Sequence, residues 1–176
     1  NFDGKYGPSP SAARLVYEYY HDSRLKKYEA LLDATDRMDS AQLTREDVLS
    51  PSGYILLFYT IDPRTGLGRW QDYFLRMVEW LRTMTLDEIM ALDEVKRRCD
   101  HVRANEENFK DLLVTHARAD GPLVLTDFRD QELPPVGNRF LVFTLFPDCL
   151  AEVRLIRGRG DKRIVVAVGK NIFNRQ

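Results

Sequence analysis

The sequence predicts an α/β protein, helical from about residue 9 to residue 118 and β-rich from residue 121 onward. Three observations predict this. Apolar residues recur at helical spacing through the first part. Past Gly121-Pro122 the period shortens to that of strands. Two apolar runs, 140–146 and 164–168, then dominate the final segment.

Each element has its own signal. Ser9 reads as an N-cap with Pro10 at the first helical position, and Ala12, Leu15, Val16 and Tyr19 share one face until His21-Asp22-Ser23 interrupts. Leu25, Tyr28, Leu31 and Leu32 continue the period in a second helix running toward Met38. Thr44 with Asp47 predicts a capped short helix that Ser50-Pro51 ends. The run 52–59 is open between strand and buried helix, and 62–68 is the clearest loop. Tyr73, Phe74, Met77, Val78 and Leu81 mark an amphipathic helix. Thr85 with Glu88 caps the next, whose apolar period persists from Ile89 to Leu113 without Gly or Pro, suiting a helix that connects two lobes. Strands are expected at 123–126, 139–146, 152–156 and 163–168, the last two joined by a hairpin turn over 158–161. Because 164–168 is apolar at successive positions, that strand is expected to be covered on both faces.

Composition narrows the class. At 176 residues, with 44% hydrophobic and 30% charged residues, the chain suits one folded domain or two small ones and excludes disorder. Cys99 and Cys149 carry no metal-site spacing and read as reduced thiols. No apolar stretch could cross a bilayer and no signal-peptide pattern opens the sequence, so no membrane partner is expected and the cytoplasm is the default compartment. Net charge of −1 conceals an asymmetry: residues 151–176 hold seven basic against two acidic side chains, leaving the excess negative charge to the first 150 residues. A basic β-rich tail beside an acidic helical body suits an anionic ligand held between them. Charged, solvated strand edges account for the same counts.

Few residues carry chemistry outright. Asp33, Asp36 and Asp39 recur every three positions, and such crowding is relieved by a divalent cation or an arginine. On spacing alone a solvated acidic face explains them as well. His21, His101 and His116 lack mutual metal-ligand spacing, and Arg159-Gly160-Asp161 is accounted for by a hairpin turn. No GxGxxG, P-loop, GxSxG or HExxH motif occurs.

The opening stretch 1–20 resembles the segment that follows the Asp-His-His motif in DHH-family phosphoesterases, and 34–41 (Ala-Thr-Asp-Arg-Met-Asp-Ser-Ala) resembles the downstream motif whose aspartate completes a dinuclear metal site. The runs 140–148, 153–156 and 166–175 are similar to the DHH-associated C-terminal domain of exopolyphosphatase-related proteins. Neither Asp-His-His nor the glycine-rich His loop of the family is in the sequence, so the chain is expected to be a piece of a longer enzyme and inactive by itself.

The resemblance implies residues 1–84 as the C-terminal part of the catalytic domain, 85–119 as a connecting helix, and 120–176 as an incomplete, mixed-sheet substrate-binding domain. It implies manganese as cofactor, two ions in the intact site, with Asp36 as a metal ligand. Arg154, Lys170, Asn171 and Arg175 would then face the anionic substrate. The activity implied is hydrolysis of phosphoester or phosphoanhydride bonds in polyphosphate, short oligonucleotides or cyclic dinucleotides, and a homodimer is compatible with it. A non-catalytic ligand-binding or protein-interaction module is the alternative.

Overall fold

A computed structural model of the chain describes residues 8–62, 69–158 and 163–174. Most of the expected 62–68 loop, the 159–161 part of the hairpin turn and Arg175 lie outside the described residues. Among the described residues seven α-helices precede the sheet: α1 (Ala12–Tyr20), α2 (Glu29–Asp39), α3 (Arg45–Leu49), α4 (Gly53–Thr60), α5 (Trp70–Thr83), α6 (Leu86–Ala91) and α7 (Asp93–His116). A 3-10 helix over Ser23–Tyr28 leads into α2, where one continuous α-helix was expected.

Local chemistry sets these boundaries. Ser11, and not Ser9, caps α1: its hydroxyl accepts from the Arg14 backbone N–H, and the helix ends where His21 turns left-handed. Thr44/Asp47 and Thr85/Glu88 both form reciprocal capping boxes, as their spacing predicts. The ambiguous 52–59 run is helical, α4, because Ile55, Leu56 and Leu57 are buried between two hydrophobic clusters that a helix can serve on both sides. The long segment after Thr85 is two helices, since the chain turns extended at Leu92 before α7 begins.

The sheet contains β1 (Ala117–Asp120), β2 (Leu123–Phe128), β3 (Ala151–Arg157) and β4 (Ile164–Lys170) in that spatial order. β1 and β2 form a hairpin about the left-handed Gly121, β2 and β3 run parallel, and β3 and β4 run antiparallel. This mixed sheet lies against α7. Val124, Thr126 and Phe128 on one face of β2 are buried beside Phe109 and Leu113 of α7.

Two expectations fail. Residues 139–146 are not a strand: they turn into the one-turn helix α8 (Val142–Leu145), whose Val142 and Phe143 plug the core between α3, α7 and the sheet. Their apolar run records burial on all sides, which a short helix supplies as readily as a strand. The second failure is β4, an edge strand whose residues 164–168 are all exposed, Val168 at 73%. The core cluster around the sheet also includes Ala34, Leu43, Val48 and Ile55 from the first helices, so residues on both sides of the 85–119 segment pack into one core.

Candidate functional site

A cavity of about 710 Å³ opens where the end of α2, the loop before α8 and the β3–β4 ladder meet. Ser40 and Ala41 border it from the end of α2, Arg139 and Phe140 from the loop, Phe143 from α8, and Glu152, Arg154 and Lys170 from the strands. A neighbouring cavity of about 760 Å³ between α4, α7 and the same loop shares Arg139, Phe140 and Arg154.

The loop carrying Arg139 is firmly placed. The Asn138 side-chain amide donates to the Tyr59 hydroxyl at 2.7 Å, its backbone N–H donates to Glu106 at 3.0 Å, and its side-chain oxygen accepts from the Phe140 N–H at 3.0 Å. Burial, with the charges of Glu106 and Asp47 adding to it, pushes the Tyr59 phenol far above its ordinary value, so it stays protonated. Gly137 precedes this anchor, and a Cβ there would lie 2.3 Å from the Phe109 ring. The loop therefore passes α7 at a distance that only glycine permits, and Arg139 with Phe140 emerges facing the cavity. The Arg139 guanidinium lies 4.7 Å from the Phe140 ring centroid.

The structure brings Arg154, Lys170 and Asn171 to this one cavity but gives them different duties. Arg154 is clamped by Glu152 through two hydrogen bonds of 2.9 Å and lies over the rings of Phe109 and Phe128. Glu152 also accepts from Thr126 at 2.6 Å, so this buried pair is internally satisfied. Asn171 is fully buried: its amide donates to the Pro147 and Cys149 carbonyls, and its oxygen accepts from the Phe173 N–H. Lys170 is exposed, and neither it nor Arg139 has a carboxylate partner among the described residues. With Glu152 neutralised by Arg154, these two cations set the sign of the cavity.

Asp36 sits elsewhere. Its two oxygens accept from the Ser11 hydroxyl at 2.5 Å and from Arg14 Nε at 2.7 Å, and Arg14 also reaches Asp33 at 2.7 Å. An arginine thus relieves the carboxylate crowding seen in the sequence. Asp36 lines neither cavity, and among the described residues no three His, Cys, Asp or Glu side chains gather as metal ligands. A dinuclear manganese site needs several oxygen or imidazole ligands, so these residues alone do not fit one.

Arg139 and Phe140 were missed in the sequence, where residues 139–146 read as a strand. The signal was Gly137-Asn138, a turn pair set directly before an arginine.

No protein-family model matches the chain, and no curated protein matches it. Among solved structures, the pGpG-specific phosphodiesterase PggH from Vibrio cholerae is similar, with 32% sequence identity over 99% of this chain and a TM-score of 0.86. This chain spans 63% of the length of that protein. The mixed α/β arrangement of helices followed by a four-stranded sheet is thus a phosphodiesterase's fold over the matched length.

Proposed function

We propose that this chain is the substrate-gripping part of a DHH-type phosphoesterase that hydrolyses short oligonucleotides of the dinucleotide class. The observation that carries the reading is the pairing of Arg139 with Lys170, two cations without carboxylate partners among the described residues, on one cavity of about 710 Å³ beside the Phe140 ring. Guanidinium and ammonium groups hold phosphate oxygens through charge-assisted hydrogen bonds. An aromatic ring adds a stacking surface for a base. The kinship with a phosphodiesterase, at 32% identity, supports phosphodiester substrates over polyphosphate.

Within this reading Arg139 and Lys170 grip the phosphates, while Arg154, held by Glu152, shapes the wall and adds to the positive potential. Asn171 ties the end of β4 to the 147–149 segment and so fixes where Lys170 points. The manganese implied by the family resemblance would polarise phosphoryl oxygens and activate water when bound. Since the described residues do not form that centre, the chain by itself is expected to bind without hydrolysing.

Titration of the 176-residue chain with pGpG at low and moderate salt tests the proposal. Binding should weaken as salt rises, and Arg139→Ala with Lys170→Ala should reduce affinity about tenfold or more. Affinity indifferent to both salt and the double substitution would overturn it. The interaction-module reading, which the exposed apolar side chains of β4 favour, would then take its place.

A further inference from the structure

A third cavity, of about 900 Å³, lies on the other face of the sheet, where α7 runs into β1. Side chains alternate along strands. Arg118, Asp127 and Arg157 are therefore out of phase with Thr126, Phe128 and Arg154 and point away from the core. Four arginines, 118, 129, 157 and 163, border this basin against two carboxylates, Asp127 and Asp130.

Both carboxylates are already engaged. Arg129 grips Asp127 through Nε and Nη2, the latter at 2.6 Å, and Asp130 receives His116 Nε2 at 3.0 Å. Arg118 has no hydrogen-bond or ion-pair partner among the described residues. Among the described residues Arg157 uses only Nε, donating to the Arg129 carbonyl at 3.1 Å, and its terminal nitrogens have no partner there. Two guanidinium forks, two strands apart in one concavity, thus lack anions among the described residues.

We propose that this basin binds a phosphate-bearing ligand of nucleotide size, at a site separate from the cavity of Arg139 and Lys170. Guanidinium forks match phosphate geometry bidentately, and two of them suit a ligand with more than one negative charge. A volume of about 900 Å³ is within the range of small-molecule pockets and exceeds what a lone inorganic anion would fill. The inference stands whether or not the first cavity takes a dinucleotide, because the two sites share no residue.

The test is an amide chemical-shift titration of the chain with inorganic pyrophosphate and, separately, with GMP. Three proteins are compared: the unaltered chain, Arg118→Gln with Arg157→Gln, and Arg139→Ala with Lys170→Ala. Both probes should move amides of residues 116–118, 127–130 and 157 in the unaltered chain and in the Arg139/Lys170 variant. The Arg118/Arg157 variant should weaken that response about tenfold while sparing the response at Lys170. Shifts confined to the Lys170 cavity, or far-face binding unchanged in the Arg118/Arg157 variant, would overturn the proposal. GMP that leaves the far-face amides unmoved would overturn the nucleotide-size assignment, and this reading from the unaltered chain holds even if a variant folds poorly.

Discussion

Replacing Gly137 by alanine tests the link between packing and site most directly. Its added Cβ would stand 2.3 Å from Phe109 Cγ and Cδ1 and 2.5 Å from Phe109 Cβ. Carbon pairs are comfortable at about 3.5–4.0 Å, so the overlap exceeds an ångström. The clash falls at the root of the side chain, where a rotamer change gives little relief. Phe109 is also fully buried, with the Phe128 ring 6.0 Å away and the Arg154 guanidinium over it at 5.4 Å. The loop must therefore yield. Overpacking costs about 1–3 kcal/mol, and displacing the Asn138 anchor strains its bonds to Tyr59 and Glu106, placing the expected loss near about 3 kcal/mol. For a chain of this length that lowers Tm by about 6–12 °C. Urea unfolding supplies the free energy. A second substitution, Phe109→Ala, should cost less in the Gly137→Ala background than alone, because it removes Cγ and Cδ1, two of the three clashing atoms. Below its melting range, Gly137→Ala should also bind pGpG more weakly, since Arg139 is two residues away. A loss under about 0.5 kcal/mol, or additive costs in the double variant, would refute the reasoning.

Two further outcomes follow from the ion pairs. Asp36→Ala should loosen α1, which buries no residue of its own and is tied down through Ser11 and Arg14. Faster hydrogen exchange over Ala12–Tyr20 and a loss of about 1–2 kcal/mol are expected, and unchanged exchange would show that the clamp holds nothing. The second concerns acid. The Arg129 guanidinium holds the Asp127 carboxyl at about 2; burial pushes Asp47 up, but Thr44 and Arg37 outweigh it and lower the net value. Both folded-state values lie below the ordinary 3.8, so their stabilisation is fully present only above about pH 5 and is lost as pH falls, for Asp127 through about 2. Melting curves from pH 5 to pH 2 should flatten in Asp127→Asn and Asp47→Asn, and slopes identical to the unaltered chain would contradict the pairing.

The helices were legible because their signals are local. Both capping boxes and the amphipathic stripe of α5 can be read within a few residues, and the structure places them where the spacing says. What was not legible depends on partners distant in sequence. The run 139–146 is apolar because α3, α7 and the sheet surround it, a condition that does not distinguish a strand from a helical turn. β4 reads as doubly covered, yet it is the sheet's edge. Its apolar pattern says nothing about where in the sheet order it falls.

The candidate site shows the same limit at the scale of neighbouring residues. Lys170 and Asn171 are adjacent polar residues after an apolar strand, and the sequence gives no reason to part them. The backbone does: Lys170 is the last residue of β4, paired to Ala151, while Asn171 donates its N–H to the Leu150 carbonyl and turns its side chain inward. A buried amide must satisfy its donors and its acceptor, and the Pro147 and Cys149 carbonyls with the Phe173 N–H do so for Asn171. An ammonium at that position would leave the Phe173 N–H without its acceptor and bury a charge. The amide thus belongs inside, where it fixes the strand end, and the cation outside, where it meets a ligand. Exchanging the two residues should therefore unfold this end of the sheet before it alters binding.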